Sequence, residues 1–235
     1  MTAKEVLARL KALGSDSIKK TLIKHGAREP LFGVKVEELK KLMKQLKNNQ
    51  SLAIELYDTG NADAMYLAGL MADGSKMTRQ QLQHWVQKAY WSNLSEYIVP
   101  WVTSESPLGF ELALEWIDAD KENIAASGWA TLGSIVATKS DDDLDIPALK
   151  SLLQRIQKNI HTAPSRVKYA MNGYIIALGS YIPTLTDTAT KTAQQIGPVT
   201  VNTGDTSSKV PAAVDYINKV KAAGKLGKKR KTAKC

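Results

Sequence analysis

The chain has 235 residues, 43 % of them hydrophobic, which is enough to bury a core without help from disulfides or metal. Its one cysteine, Cys235, has no intramolecular partner and suits a reducing cytosol. The formal charge of +9 is uneven: Lys and Arg number 12 against 5 Asp and Glu in residues 1–47, 11 against 17 in 48–208, and 9 against 1 in 209–235. Two basic ends around an acidic middle resemble a footprint for a polyanion more than a uniformly solubilising charge.

The opening MTAKEVLARLKALG is charged throughout and lacks the apolar core of a signal peptide, so it is predicted as a helix with Val6, Leu7, Leu10 and Leu13 on one face. A second apolar stripe runs through Val36, Leu39, Leu42, Met43 and Leu46. Ser51 opens the segment SLAIELYDTG and Gly60 closes it, while Thr78, Ser104 and Pro147 mark later helix entries. Leu149, Leu152, Leu153 and Ile156 repeat the same spacing. Strand patterns are nearly absent, and no stretch approaches the roughly 18 apolar residues of a membrane span. A cytoplasmic protein with no membrane partner is expected, in a bacterial cytosol or nucleoid.

About a dozen helices joined by short loops divide into units of roughly 40 residues, drawn at 1–30, 35–73, 78–103, 105–138, 145–181 and 184–223. This period favours an all-α, right-handed α-solenoid of about six HEAT-like helix pairs over a compact bundle. The solenoid is expected to span residues 1–196. Residues 197–223 form a Gly/Thr-rich extension, with a short strand at Val199–Val201, turn chemistry at Gly204–Asp205 and a helix near Ala212–Ala223. Residues 224–235, ending GKLGKKRKTAKC, lack apolar periodicity and read as a basic flexible tail.

Several chemistries find no residues to carry them. His25, His84 and His161 lie far apart in sequence without metal-ligand neighbours, so no metal or cofactor is expected. No GxSxG motif occurs, and GKLGKK lacks the upstream glycine and the Ser or Thr of a phosphate loop. The run Asp141-Asp142-Asp143 with Asp145 lacks the calcium-loop pattern and precedes Pro147 as a charged helix entry.

The stretch AYWSNLSEYIVPW, residues 89–101, places one carboxylate, Glu96, among Tyr90, Trp91, Tyr97 and Trp101. Read from spacing alone, Leu94, Ile98, Trp101 and Val102 are a buried helical stripe, and Glu96 is an exposed residue needing no function. Together with HGAREPLFGVKVEELKKLMKQLK, ENIAASGWATL and KYAMNGYIIALGSY, in that family's order and spacing, this stretch resembles the AlkD-like DNA alkylation repair family. The resemblance spans nearly residues 1–196. It implies a HEAT-like solenoid that cradles duplex DNA by its backbone. In active members it also implies hydrolysis of the N-glycosidic bond of alkylated purines without a base-flipping pocket.

Carried onto this chain, the family's catalytic carboxylate falls four positions before Pro100, at Glu96, where an anion would stabilise an oxocarbenium-like sugar and orient its water. The aromatic that stacks on the sugar falls at Ser92; Trp91 stands in for it or the contact is absent. A second aromatic is Tyr174. The arginine that the resemblance implies in the fourth pair has no counterpart in Ala126–Gly128. Phosphate contacts are assigned to Lys19, Lys20, Lys24, Lys35, Lys40, Lys41 and Lys44, and to Lys228, Lys229, Arg230 and Lys231. The expected partner is double-stranded DNA bound by a monomer. Two outcomes stay open, a monofunctional alkylpurine glycosylase and a non-catalytic binder of DNA structures, alongside a protein-interaction scaffold of the same fold.

Overall fold

A computed structural model describes residues 1–46, 49–202 and 209–235. Thr2 opens α1 (Ala3–Leu13) with a capping box: its hydroxyl accepts from the Glu5 amide at 3.3 Å, and Glu5 Oε2 accepts from the Thr2 amide at 2.8 Å. There follow α2 (Asp16–Lys24), α3 (Val36–Leu46), α4 (Gln50–Asp58), α5 (Ala62–Met71) and α6 (Arg79–Lys88). After them come α7 (Val99–Glu105), α8 (Gly109–Trp116), α9 (Glu122–Thr138), α10 (Ile146–Asn159), α11 (Ser165–Tyr181), α12 (Thr186–Ile196) and α13 (Ala213–Ala222). Thr78 caps α6, and Asp145 caps α10 with Pro147 in its first turn.

Three local expectations change. Asn49 caps α4 in place of Ser51, its side chain accepting from the Leu52 amide at 3.1 Å. Ser104 lies inside α7, where its hydroxyl donates to the Trp101 carbonyl at 2.9 Å, as a serine within a helix can do without starting one. Among the described residues no strand forms, so Val199–Val201 is irregular backbone, and Gly204–Asp205 lies outside the described residues.

The second helices of successive units stack in chain order: α5 on α7, α7 on α9, α9 on α11 and α11 on α13. Their partners cover them, α4 on α5, α6 on α7 and α8 on α9. This is the HEAT-like arrangement, with two apolar clusters: one drawn from Val6 to Trp116, the other from Ala113 to Ile217. Among the described residues, no helix is long and apolar enough to cross a membrane.

The Phe32-Gly33-Val34 turn owes its sequence to Asp63, in the first turn of α5. Phe32 and Gly33 amides donate to Oδ2 at 2.6 and 3.1 Å, and the Val34 amide to Oδ1 at 2.8 Å. Gly33 has φ +78°, and a Cβ there would lie 2.4 Å from the Lys19 amide nitrogen, so no other residue fits the turn. Three amides and the positive end of α5 satisfy a carboxylate that is only 3 % exposed.

Residues 224–235, where sequence alone suggests a flexible tail, lie as a strap across the carboxy-terminal ends of the stacked helices. Gly227 donates its amide to the Ser180 carbonyl in α11 at 2.9 Å, and Arg230 its amide to the Ala137 carbonyl in α9 at 2.8 Å. Lys229 Nζ meets the Val136 carbonyl and Asp141 Oδ1, each at 2.8 Å. Lys234 Nζ donates to the Ala72 carbonyl at the end of α5 and pairs with Glu105 at the end of α7, at 3.1 Å. Helix ends leave carbonyls without partners and carry partial negative charge, so amides and ammonium groups are what such a rim attracts. Ala233, 2 % exposed, joins the first apolar cluster.

Two outcomes follow for stability. Asp63→Ala should cost about 3–5 kcal/mol in urea unfolding, with Asp63→Asn intermediate; a loss below about 1 kcal/mol would show that the amide nest contributes little. Lys234→Met should cost about 1–2 kcal/mol because it strands the Ala72 carbonyl and leaves Glu105 with the Gly74 amide but without its cation, whereas Lys231→Met, on an exposed side chain, should leave the unfolding midpoint nearly unmoved.

Candidate nucleic-acid interface

Pro100 shapes the backbone of the site. It has no N–H for the carbonyl four residues earlier, that of Glu96, so a regular ladder fails there. The helix takes one π turn over Leu94–Ile98 instead, with the Val99 amide bonded to the Leu94 carbonyl. Glu96 sits in this turn and is 7 % exposed.

The partner of Glu96 comes from 70 residues further on. Arg166, in the first turn of α11, donates from Nε to Oε1 at 2.5 Å and from Nη2 to Oε2. This is a two-pronged guanidinium on a carboxylate, the strongest pairing geometry the side chains offer. Three contacts fix the arginine. Its amide donates to Glu122 Oε1 in the first turn of α9 at 2.7 Å, its guanidinium lies 4.7 Å from the centroid of the Tyr169 ring, and Glu96 holds its head. The Arg166 side chain is 28 % exposed and that of Glu96 3 %, so the cation is the more exposed member of the pair.

Burial pushes the Glu96 carboxyl above the usual glutamate value, and the Arg166 hydrogen bonds and charge pull it down without cancelling that rise. For Arg166, burial works against the charge, and the hydrogen bond and charge of Glu96 outweigh it, so its pKa rises. The two directions oppose each other within one pair. Arginine stays protonated wherever proteins fold, so the carboxyl is the group that titrates.

The other two residues assigned to chemistry are packed away. Trp91 is 5 % exposed and donates its indole N–H to the His25 carbonyl at 2.6 Å, tying the loop after α2 to the start of the π turn. Tyr174 is 1 % exposed; its hydroxyl donates to the Leu149 carbonyl at 2.9 Å, and its ring meets the edge of Trp129. In the fourth pair Ser127 donates to the Ser95 carbonyl at 2.6 Å and knits α9 to the π turn. The fifth pair supplies an arginine from its own first turn. Its sequence signal is the Pro-Ser-Arg start of α11, one turn before Tyr169.

The expected phosphate-binding lysines divide. Lys19 pairs with Glu29, and Lys41 pairs with Glu37 and Glu38 at 3.2 and 2.8 Å. Lys20, Lys24, Lys35 and Lys44 are exposed and Lys40 half-buried, none in an ion pair among the described residues. In the strap, Lys229 turns inward, while Lys228, Arg230 and Lys231 remain exposed.

Comparison with known proteins gives this geometry a setting. A family model described as DNA alkylation repair enzyme matches residues 6–201. The chain belongs to the DNA alkylation repair enzyme family. Uncharacterised proteins of Listeria monocytogenes and Listeria innocua are each 30 % identical over 227 residues, covering 94 % of this chain and 98 % of theirs. A solved structure described as a new family of proteins related to the HEAT-like repeat DNA glycosylases, with affinity for branched DNA structures, overlays at a TM-score of 0.92. It shares 35 % identity and covers all of both chains. That full coverage includes the strap. In this member of the DNA alkylation repair enzyme family, Glu96 is buried and both its oxygens accept from Arg166.

By carboxyl ¹³C NMR, Glu96 should titrate above the ordinary glutamate value, and Arg166→Met should move it further up by removing the guanidinium. Because the folded carboxyl takes its proton at a higher pH than the unfolded chain does, stability relative to Glu96→Gln should rise as pH is lowered from neutral through that titration. An unshifted or lowered Glu96 titration would contradict the burial argument.

Proposed function

We propose that this protein binds DNA, duplex and branched, through the phosphate backbone as a monomer, and that Glu96 positions Arg166 rather than attacking or activating water. The observation that carries this reading is the two-pronged Arg166–Glu96 pair. A glycosylase carboxylate must offer negative charge to a sugar becoming cationic, or a free oxygen to a water. Here both oxygens accept from one guanidinium, the side chain is buried, and Trp91 and Tyr174 present no ring face beside it. What the pair presents outward is a cation. Two guanidinium donors on Nη1 and one on Nη2 remain for an incoming phosphate, in a fork matched to it.

Further support comes from charge and kinship. Exposed lysines on α2 and α3 and exposed cations on the strap give contacts blind to sequence, as backbone binding needs. A relative alike over its whole length is described as having affinity for branched DNA. Such binding belongs in the cytosol or nucleoid, where DNA is.

The test combines binding and chemistry. Fluorescence anisotropy should show tighter binding to three-way and four-way junctions than to duplex, falling about a hundredfold or more between 50 and 200 mM salt if roughly four phosphates are neutralised. Single-turnover incubation with duplex carrying a cationic methylated purine should release no base. Release that disappears in Glu96→Gln would establish the glycosylase instead, and no binding at low salt would remove DNA as the partner.

A further inference from the structure

An open cleft of about 340 Å³ lies between the π turn, α9, α11, α13 and the strap, with Glu96 of the Arg166–Glu96 pair in its lining. Small residues line one part of it, Gly133 and Ala137 from α9 and Gly173 and Ala177 from α11. A Cβ added at Gly173 would meet no atom within 4 Å. Its walls are aromatic: Tyr97 and Tyr216 keep 39 % and 49 % of their surface in water, and Tyr169 and Tyr181 join them. Arg230 joins the lining, held there by its own amide on the Ala137 carbonyl and by Nη2 on the Ala233 carbonyl at 3.3 Å. Trp129, in the same lining, has a buried indole N–H with no hydrogen-bond partner among the described residues.

These features select a shape and a chemistry. Small residues beside tyrosine rings leave space for a planar π system, and tyrosine hydroxyls suit a polar edge. The volume is at the low end for ligand sites. Stacked base pairs hide their faces from each other, so intact duplex has nothing to put there. An unstacked base has a free face, and a neighbouring phosphate would meet Arg230 in the lining, with the exposed Lys228 and Lys231 near it in the strap. Resting on the DNA-binding reading above, we propose that this cleft seats a single unstacked nucleobase, of the kind exposed at an unpaired position of a DNA branch point. The strap contributes to the site, because its Arg230 lines the cleft while its amide bonds the Ala137 carbonyl at the end of α9.

The experiment compares affinity for a three-way junction with unpaired bases at its branch, the same junction fully paired, and plain duplex, using the full chain. The natural protein should prefer the junction with unpaired bases by about tenfold, the scale of one base stacked on an aromatic ring. Gly173→Leu, which fills that part of the cleft while improving helix propensity, should abolish the preference and keep duplex affinity and its salt dependence. Tyr216→Ala, which removes an exposed wall, should reduce the preference severalfold with an unchanged melting temperature. Equal affinity of the natural protein for both junctions, or a preference that survives both substitutions, would overturn the base-seating cleft while leaving DNA binding in place. Failure to bind all three at low salt would overturn the DNA-binding reading itself, and the cleft assignment with it.

Discussion

A carboxylate withdrawn from water must be met by donors or give up its charge, and the centre of this molecule is arranged around that demand at Glu96. Pro100 breaks the ladder and turns the helix through one π turn, which carries Glu96 to the interior side. Arg166 answers from α11, and Glu122 on α9 fixes the backbone of that arginine. Three consecutive members of the stacked layer thus meet at one charge pair. Deleting either partner would leave the other stranded, so the pair ties the local fold to whatever the exposed guanidinium does.

Asp63 solves the same problem differently. It sits at a helix start and accepts from three successive amides, with no cation involved. The contrast lies in what each set of partners leaves over. Amides fully enclosed by the chain point to a fold determinant, whereas a guanidinium with one side in water leaves donors for an external anion. Both carboxylates are buried, and only the identity of their partners tells the two roles apart.

The helices were legible in the sequence because their cause is local: apolar spacing, Thr2 and Thr78 caps and Pro147 in a first turn each act within a few residues. HEAT-like stacking was legible from the period of the units, whereas spacing alone put Glu96 on an exposed face and the structure buries it. What could not be read were contacts between distant residues. Arg166 lies 70 positions from Glu96, and nothing in the spacing of either announces the other. The burial of Trp91 and Tyr174 was equally hidden, since an aromatic on a helix has the same local pattern whether its face is open or closed. Ser104 misled because serine bonds back to a helix carbonyl as readily as it opens a helix. The strap was hidden because its order depends on helix-end carbonyls supplied by α5, α9 and α11, and no periodicity within residues 224–235 records them.

A linear stack of helix pairs behaves like a coil spring, in which each unit feels only its neighbours and the two halves can flex or melt separately. Residues 224–235 change that mechanical character. They leave the last unit and finish at Tyr66, where Cys235 Sγ stands 3.4 Å from the tyrosine hydroxyl, having placed Ala233 in the core of the first half. The spring is tied from end to early turn, so its curvature is no longer free to follow whatever it grips.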